Sequence, residues 1–303
     1  MDNLFINQDL HFSTATRLTI SPPFIGGKIK DEIIRRFDKM EYHVSFNTLL
    51  ATDYGVPQMR KRAFFIGIRK QFGFFEFPKP THTPSDYISC QDAISDLPAR
   101  KNELGQEKDD YADEPITDYQ KKMRNGANKL YNHVATNHTP MVKNVIAQVP
   151  DGGNYKDLPP GVGESRKFNE AWTRYRSDKP SRTIDTGHRN HFHYKYNRVP
   201  TIRENARLQS FPDTFIFYGS RTHQNRQVGN AVPPLVAYHL AKEIKKYISE
   251  EIAEKQLQSK VQEMKARAKR AFQVELLSKS PTTPIGRGMM KPPRRGHCFR
   301  ESP

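Results

Sequence analysis

The chain has 303 residues, with 49 Lys and Arg against 33 Asp and Glu, a formal net charge of +16. No apolar run nears the roughly 20 residues that a bilayer crossing needs, and no charged start precedes an apolar stretch, so membrane-spanning and secreted readings are excluded. Two cysteines cannot build a disulfide framework or a four-thiolate zinc site, which leaves a reducing, cytoplasmic setting and a polyanionic partner, nucleic acid first.

Residues 1–23 show no clear period. From Lys28 to Met40 the apolar residues Ile29, Ile33, Ile34, Phe37 and Met40 recur at helical spacing, which predicts an amphipathic helix. Tyr42 to Leu50 reads as a strand. A turn at Tyr54-Gly55-Val56-Pro57-Gln58 leads into an apolar strand from Ala63 to Ile68. Helix, strand, turn, strand suits the end of an α/β sheet.

Residues 78–117 are rich in Pro, Asp and Lys, with a short helical piece near Gln91–Asp96, and residues 118–190 are polar with weak periodicity. That composition suits a loop-rich recognition region. A short helix through Ile202, Ala206 and Leu208 ends at Phe211-Pro212-Asp213. Another starts at Pro233-Pro234, where proline is tolerated in a first turn. Val236, Leu240, Ile244 and Ile248 form its stripe, and Leu257, Val261, Met264, Ala268, Phe272 and Leu276 extend or restart it. From Ala253 onward there are twelve Lys or Arg and four Glu, a net +8 that equally suits a solvated basic tail. Residues 280–303 carry no core pattern and read as disordered.

Three segments carry chemistry. In Asp53–Arg62 (sequence DYGVPQMRKR), Gln58, Arg60 and Arg62 alternate, so an extended chain turns them to one side. Two guanidinium groups there can hold a phosphate and the polar edge of a pyrimidine, and an ion-paired strand end is the plain alternative. Arg198–Asp213 (RVPTIRENARLQSFPD) looks structural, with Arg203, Glu204 and Arg207 in ion pairs. Gln227–Pro234 (QVGNAVPP) lies before a helix start. Its Gly229 permits close backbone approach and its Asn230 offers donor and acceptor, or simply caps the helix.

Together and in this order the three resemble the eighth, ninth and tenth motifs of the DNA (cytosine-5)-methyltransferases, over about Gly26 to Tyr247. The resemblance implies an α/β fold: the C-terminal part of a Rossmann-like S-adenosylmethionine-dependent methyltransferase with a smaller, loop-rich target recognition domain. The implied division is a divergent leader (1–25), the end of the catalytic α/β domain (26–77), and the recognition domain (78–220). A helix returning to the catalytic domain (221–252), a basic helical extension (253–279) and a disordered tail (280–303) follow. The implied activity is DNA cytosine-5 methylation in a restriction-modification system. A cytosine is flipped out of double-stranded DNA, a thiolate adds at C6, C5 is methylated, and the C5 proton and the thiol then leave.

By the same resemblance Arg62 faces the flipped cytosine and Arg60 the backbone around it. Asn230, Ala231 and Val232 line the S-adenosylmethionine pocket. Ser181-Arg182-Thr183-Ile184 fits the Thr-plus-aliphatic pair that ends the recognition region, so Gln58, Thr183 and Arg189 are expected at the substrate. Trp172, Arg174, Tyr175, Arg176, His188, Asn190 and His191 lie nearby and have the chemistry to read base edges or hold phosphates. His188, His191 and His193 lack the partners of a zinc site.

The family's Pro-Cys nucleophile and Glu-Asn-Val acid are not found in the sequence. Cys90 follows Ser, lies after the Gln58–Arg62 segment, and reads as a small buried hydrophobe. Phe24-Ile25-Gly26-Gly27 only mimics a cofactor-binding glycine turn. Missing strands would leave the apolar strand at 63–68 exposed. The expectation is a chain that is inactive alone and works with a complementary N-terminal methyltransferase subunit. A truncated inactive remnant and a non-enzymatic DNA-binding module stand as alternatives.

Overall fold

The computed structural model describes residues 5–7, 10–13, 23–101, 103–162, 171–186 and 190–278. Two compact units divide the chain, residues 1–248 and 249–303. In the first, strands β1 (Phe5–Asn7) and β2 (Leu10–Ser13) precede helix α1 (Pro23–Lys39), strand β3 (Tyr42–Leu50) and strand β4 (Lys61–Arg69). The sheet order is β1-β2-β4-β3. Both β2 and β3 run antiparallel to β4, so they are parallel to each other, joined by α1 and separated by β4. The β3–β4 register pairs Phe46 with Phe65 and Leu50 with Lys61.

The turn between β3 and β4 is fixed locally. Ala51–Tyr54 form one 3-10 turn that Gly55 closes with φ of 76°, a left-handed conformation that favours glycine. A side chain at Gly55 would also meet His82 at 2.9 Å.

The predicted exposure of the strand at 63–68 is not found: Phe64, Phe65, Ile66 and Ile68 are all buried. Val236, Leu240 and Ile244 cluster with Phe64, Ile66 and Ile68. Phe37 of α1 lies against Gly67, where a Cβ would stand 2.5 Å from its ring. The helices already present therefore cover this strand. Phe24-Ile25-Gly26-Gly27 falls within α1, so these glycines form no turn.

The middle of the chain adds small elements. They are α2 (Cys90–Ile94), β5 (Lys108–Asp109), α3 (Asp118–Arg124), β6 (Leu130–Tyr131), α4 (Pro140–Gln148), β7 (Thr173–Arg174) and β8 (His191–Phe192). Their helices start with side-chain caps: Ser89 and Thr117 in reciprocal capping boxes, Thr139 followed by proline. With so little regular structure, this region is held by an apolar cluster that includes Cys90, Ile94, Tyr119 and Leu130 and reaches Ile202, Leu208 and Val228.

Helix α5 (Ile202–Leu208) begins in a capping box between Thr201 and Glu204. Helix α6 (Arg221–Asn230) follows, then α7 (Pro234–Ser278). The sequence reading gave one helix within 221–252, starting at Pro233-Pro234; the structure has two, with α6 a separate helix before that start. The mean composition of α6 is polar, and only Gln224, Val228 and Gly229 are buried. In the second unit, Leu257, Val261 and Met264 are exposed. Among the described residues no helix is long and apolar enough to cross a membrane.

Candidate functional site

The segment 57–60 is extended and does not join a sheet. It runs parallel to 181–184, from which it is separated by more than a hundred residues in sequence. Met59 N donates to Ser181 O at 2.8 Å and Ser181 N to Pro57 O at 3.0 Å. Thr183 Oγ1 donates to Met59 O at 2.9 Å. The alternation read from the sequence is present: Gln58 and Arg60 are buried while Met59 and Lys61 are exposed.

Gln58 is fully enclosed and its amide is used on both sides. Its oxygen accepts from Ile184 N at 3.2 Å, and its nitrogen donates to Leu208 O at 3.3 Å and to Gln209 Oε1. Gln209 in turn donates to Val228 O at 3.1 Å and to Ala231 O at 2.8 Å. Arg60 Nη2 donates to Gly229 O at 2.8 Å and to Ala231 O at 3.3 Å. One buried polar knot therefore joins the three sequence segments and the 181–184 strand. Gln209 is the member that sequence reasoning missed. Its signal was a polar side chain between Leu208 and Phe211, both of which are buried.

Burial and the neighbouring Arg62 hold the Arg60 guanidinium down to about 9. Arg60 Nε, Arg60 Nη1 and Arg62 Nε are buried without a hydrogen-bond partner. Arg62 is half-buried and, among the described residues, donates only to the carbonyl of Lys61, at 2.7 Å. Among the described residues neither arginine faces a carboxylate. Several other buried arginines do, although Arg174 is held by neutral acceptors. Arg198 holds Glu204 through two bonds of 2.7 and 2.6 Å. Arg207 bonds Asp96 at 2.7 Å and Asp213 at 2.8 and 2.7 Å, and Arg203 lies 3.7 Å from Asp213. The structural expectation for this motif holds, with each ion pair made to a residue outside the Arg203–Glu204–Arg207 set itself.

Gly229-Asn230-Ala231-Val232 forms the corner between α6 and α7. Asn230 is the last residue of α6 and does not cap α7. Gly229 is required by close packing: a Cβ there would stand 2.4 Å from Asp185 O. The close approach is thus to the chain's own backbone. Asn230 is exposed and its amide makes no hydrogen bond among the described residues, while Ala231 and Val232 are half-buried beside it.

The structure thus brings together Gln58, Arg60, Thr183, Ala231 and the backbone before Asn230, with Arg62 next along the strand. Arg189 and His188 lie outside the described residues. Three nearby candidates for base contact are otherwise engaged. Buried Arg174 donates to Val149 O at 2.7 Å and His193 O at 2.9 Å. Tyr175 is buried, and Arg176 pairs with Asp178 at 2.6 Å. His193 Nδ1 accepts from the backbone of Lys195 at 2.9 Å. Cys90 is fully buried and desolvation pushes its thiol well above the usual range. An open cleft of about 560 Å³ lies beside Leu50, Met59, Tyr87, Tyr175, Lys179 and Arg182.

The model of one family, C-5 cytosine-specific DNA methylase, matches residues 26–246, which hold the whole of this arrangement. The chain belongs to that family. It is 39% identical over 226 residues to the type II methyltransferase M1.HphI of Haemophilus parahaemolyticus, covering 73% of this chain and 53% of that protein. It is 37% identical over 241 residues to M.DdeI of Desulfomicrobium norvegicum, covering 72% and 58%. The chain thus spans little more than half the length of these methylase relatives. A crystal structure of a prophage-encoded protein from E. coli, described as a DNA modification methyltransferase, superposes with a TM-score of 0.59 at 24% identity. That match covers 76% of this chain and 67% of the other, and it bears out the α/β fold.

Proposed function

We propose that the chain is the base-holding and cofactor-lining part of a DNA cytosine-5 methyltransferase of a restriction-modification system. The observation that carries this reading is the pair Arg60 and Arg62. A buried guanidinium without a carboxylate costs several kcal/mol unless an acceptor arrives. The carbonyl edge of an extruded cytosine and its phosphate are acceptors of the right kind. Arg62, the less buried of the two, contacts the base. Arg60 holds the Gly229–Ala231 corner behind it. Gln58 acts through Gln209 and the 181–184 segment and does not touch substrate, while Thr183 stands on the substrate side and the resemblance gives Arg189 a substrate-binding role.

The corner fits S-adenosylmethionine. The free Asn230 amide offers donor and acceptor to the polar amino-acid end, and Ala231 with Val232 offers an apolar wall. When bound, that cofactor supplies an electrophilic methyl group. What these residues do is orient: the knot fixes the cofactor wall relative to the base-holding strand, which is the kind of positioning that lowers a bimolecular barrier.

The attacking thiol is not Cys90, whose burial keeps it protonated and out of reach. It comes from a complementary N-terminal subunit that carries Pro-Cys and Glu-Asn-Val. The test is trapping on a duplex that contains 5-fluorocytosine, with S-adenosylmethionine present. The chain alone is expected to form no covalent adduct. With the complementary subunit the adduct is expected on that subunit's cysteine. An adduct on Cys90 or Cys298 of the unaided chain would overturn the proposal.

A further inference from the structure

A second basic surface lies apart from the cleft at Met59 and Arg182. It is a groove of about 410 Å³ whose lining includes Lys101, Glu103, Lys143, Lys195, Tyr196 and Arg198. Cleft and groove share no lining residue. Three carboxylates near the groove are already committed, Glu103 and Asp109 to Arg100 and Glu204 to Arg198, while Asp113 adds one negative charge within electrostatic reach of Tyr196. Lys101, Lys143 and Lys195 are exposed and have no carboxylate within salt-bridge reach among the described residues.

Three cations surround one ring. Lys101 Nζ lies 5.8 Å, Lys195 Nζ 5.9 Å and Arg198 Cζ 5.4 Å from the Tyr196 centroid. The negative face of the ring offsets part of their mutual repulsion and gathers them at one place. A concave surface with converging, unneutralised lysines is an anion receptor waiting for its anion.

We infer that this groove is an anchoring site for the DNA backbone, separate from the place where the target base is held. The inference rests on the DNA-methylase reading, because DNA is the polyanion a member of that family meets. Lysines supply point charges without base readout, so the contact is independent of sequence. Its role is to hold DNA non-specifically.

The test compares the full chain with a K101Q/K143Q/K195Q variant on two duplexes of unrelated sequence, over a range of salt concentrations. Three lost phosphate contacts lower the slope of log K against log salt by about 2 to 3 and weaken low-salt binding on the order of tenfold or more. The loss is expected to be the same on both duplexes. A charge-matched control, K260Q/K265Q/K269Q in α7, is expected to change the slope less. All six lysines are exposed, and an unchanged urea midpoint verifies folding. An unchanged slope, a loss confined to one duplex, or an equal loss in the control overturns the inference. So does displacement of DNA by millimolar inorganic phosphate, which would mark a small-anion site. If DNA binding persists with an unchanged slope, only the groove fails. If the chain does not bind duplex at all, the base-holding role proposed for it falls together with the groove.

Discussion

Replacing Gly229 with alanine gives a sharp test because two effects of opposite sign compete. Within a helix, Gly to Ala favours the fold by about 1 kcal/mol. Here the new methyl would stand 2.4 Å from Asp185 O, 2.9 Å from Asp185 C and 3.1 Å from Thr186 Cα. All three are backbone atoms, so no rotamer change relieves the contact. Reaching an ordinary separation moves the end of α6 by about 1 Å, and overpacking of this kind costs about 1–3 kcal/mol. Set against the helix gain, the clash leaves a net loss of up to about 2 kcal/mol, expected in urea unfolding. The same shift displaces the carbonyl that Arg60 grips at 2.8 Å, and with it Asn230. A displacement of about 1 Å near the reacting groups costs on the order of a hundredfold in rate, readable as methyl transfer in the complemented enzyme. A variant more stable than the parent, with an undiminished rate, would refute the argument, since it would mean that α6 does not press on 185–186.

Acid is expected to destabilise the chain well before its carboxylates titrate. Burial holds His133 down to about 4 and His193 down to about 3. The unfolded chain protonates these groups near pH 6.5 while the folded chain keeps them neutral, so stability is present above that pH and is lost as the pH falls toward the folded values. Between pH 7 and 5 each group removes about 2 kcal/mol, about 4 together, and urea curves at the two pH values measure it. Equal unfolding free energies at pH 7 and 5 would contradict the buried, neutral assignment. Cys90 is expected to resist iodoacetamide in the native chain and to react in denaturant. Cys90→Ala is expected to leave partner-dependent methylation intact, and loss of methylation with an unchanged urea midpoint would count against the inert assignment.

Much of the local structure was legible in the chain itself. The strand at 42–50 was read with its observed bounds, and the helix read from Lys28 is the body of α1, because an apolar period is set by neighbours in sequence. The family was readable because its motifs keep their residue types and order. The site was only half legible. Alternation placed Gln58 and Arg60 on one side, yet nothing in their spacing said that this side faces inward. Helix α6 was not separated from α7 because it rests on contacts such as Gly229 on Asp185, which no local pattern encodes.

The sequence by itself determined the family, the sign of the charge and the period of the amphipathic elements, since these follow from residue type and spacing; it did not decide which stripes are covered, as the exposed Leu257, Val261 and Met264 show. Tertiary structure alone decided which polar groups satisfy one another. Gln58 meets Gln209 and Arg60 meets Gly229 across some 150 and 169 residues. A hydrogen bond or a missing counter-charge is a fact of proximity, and proximity at that range is created only when the chain has folded.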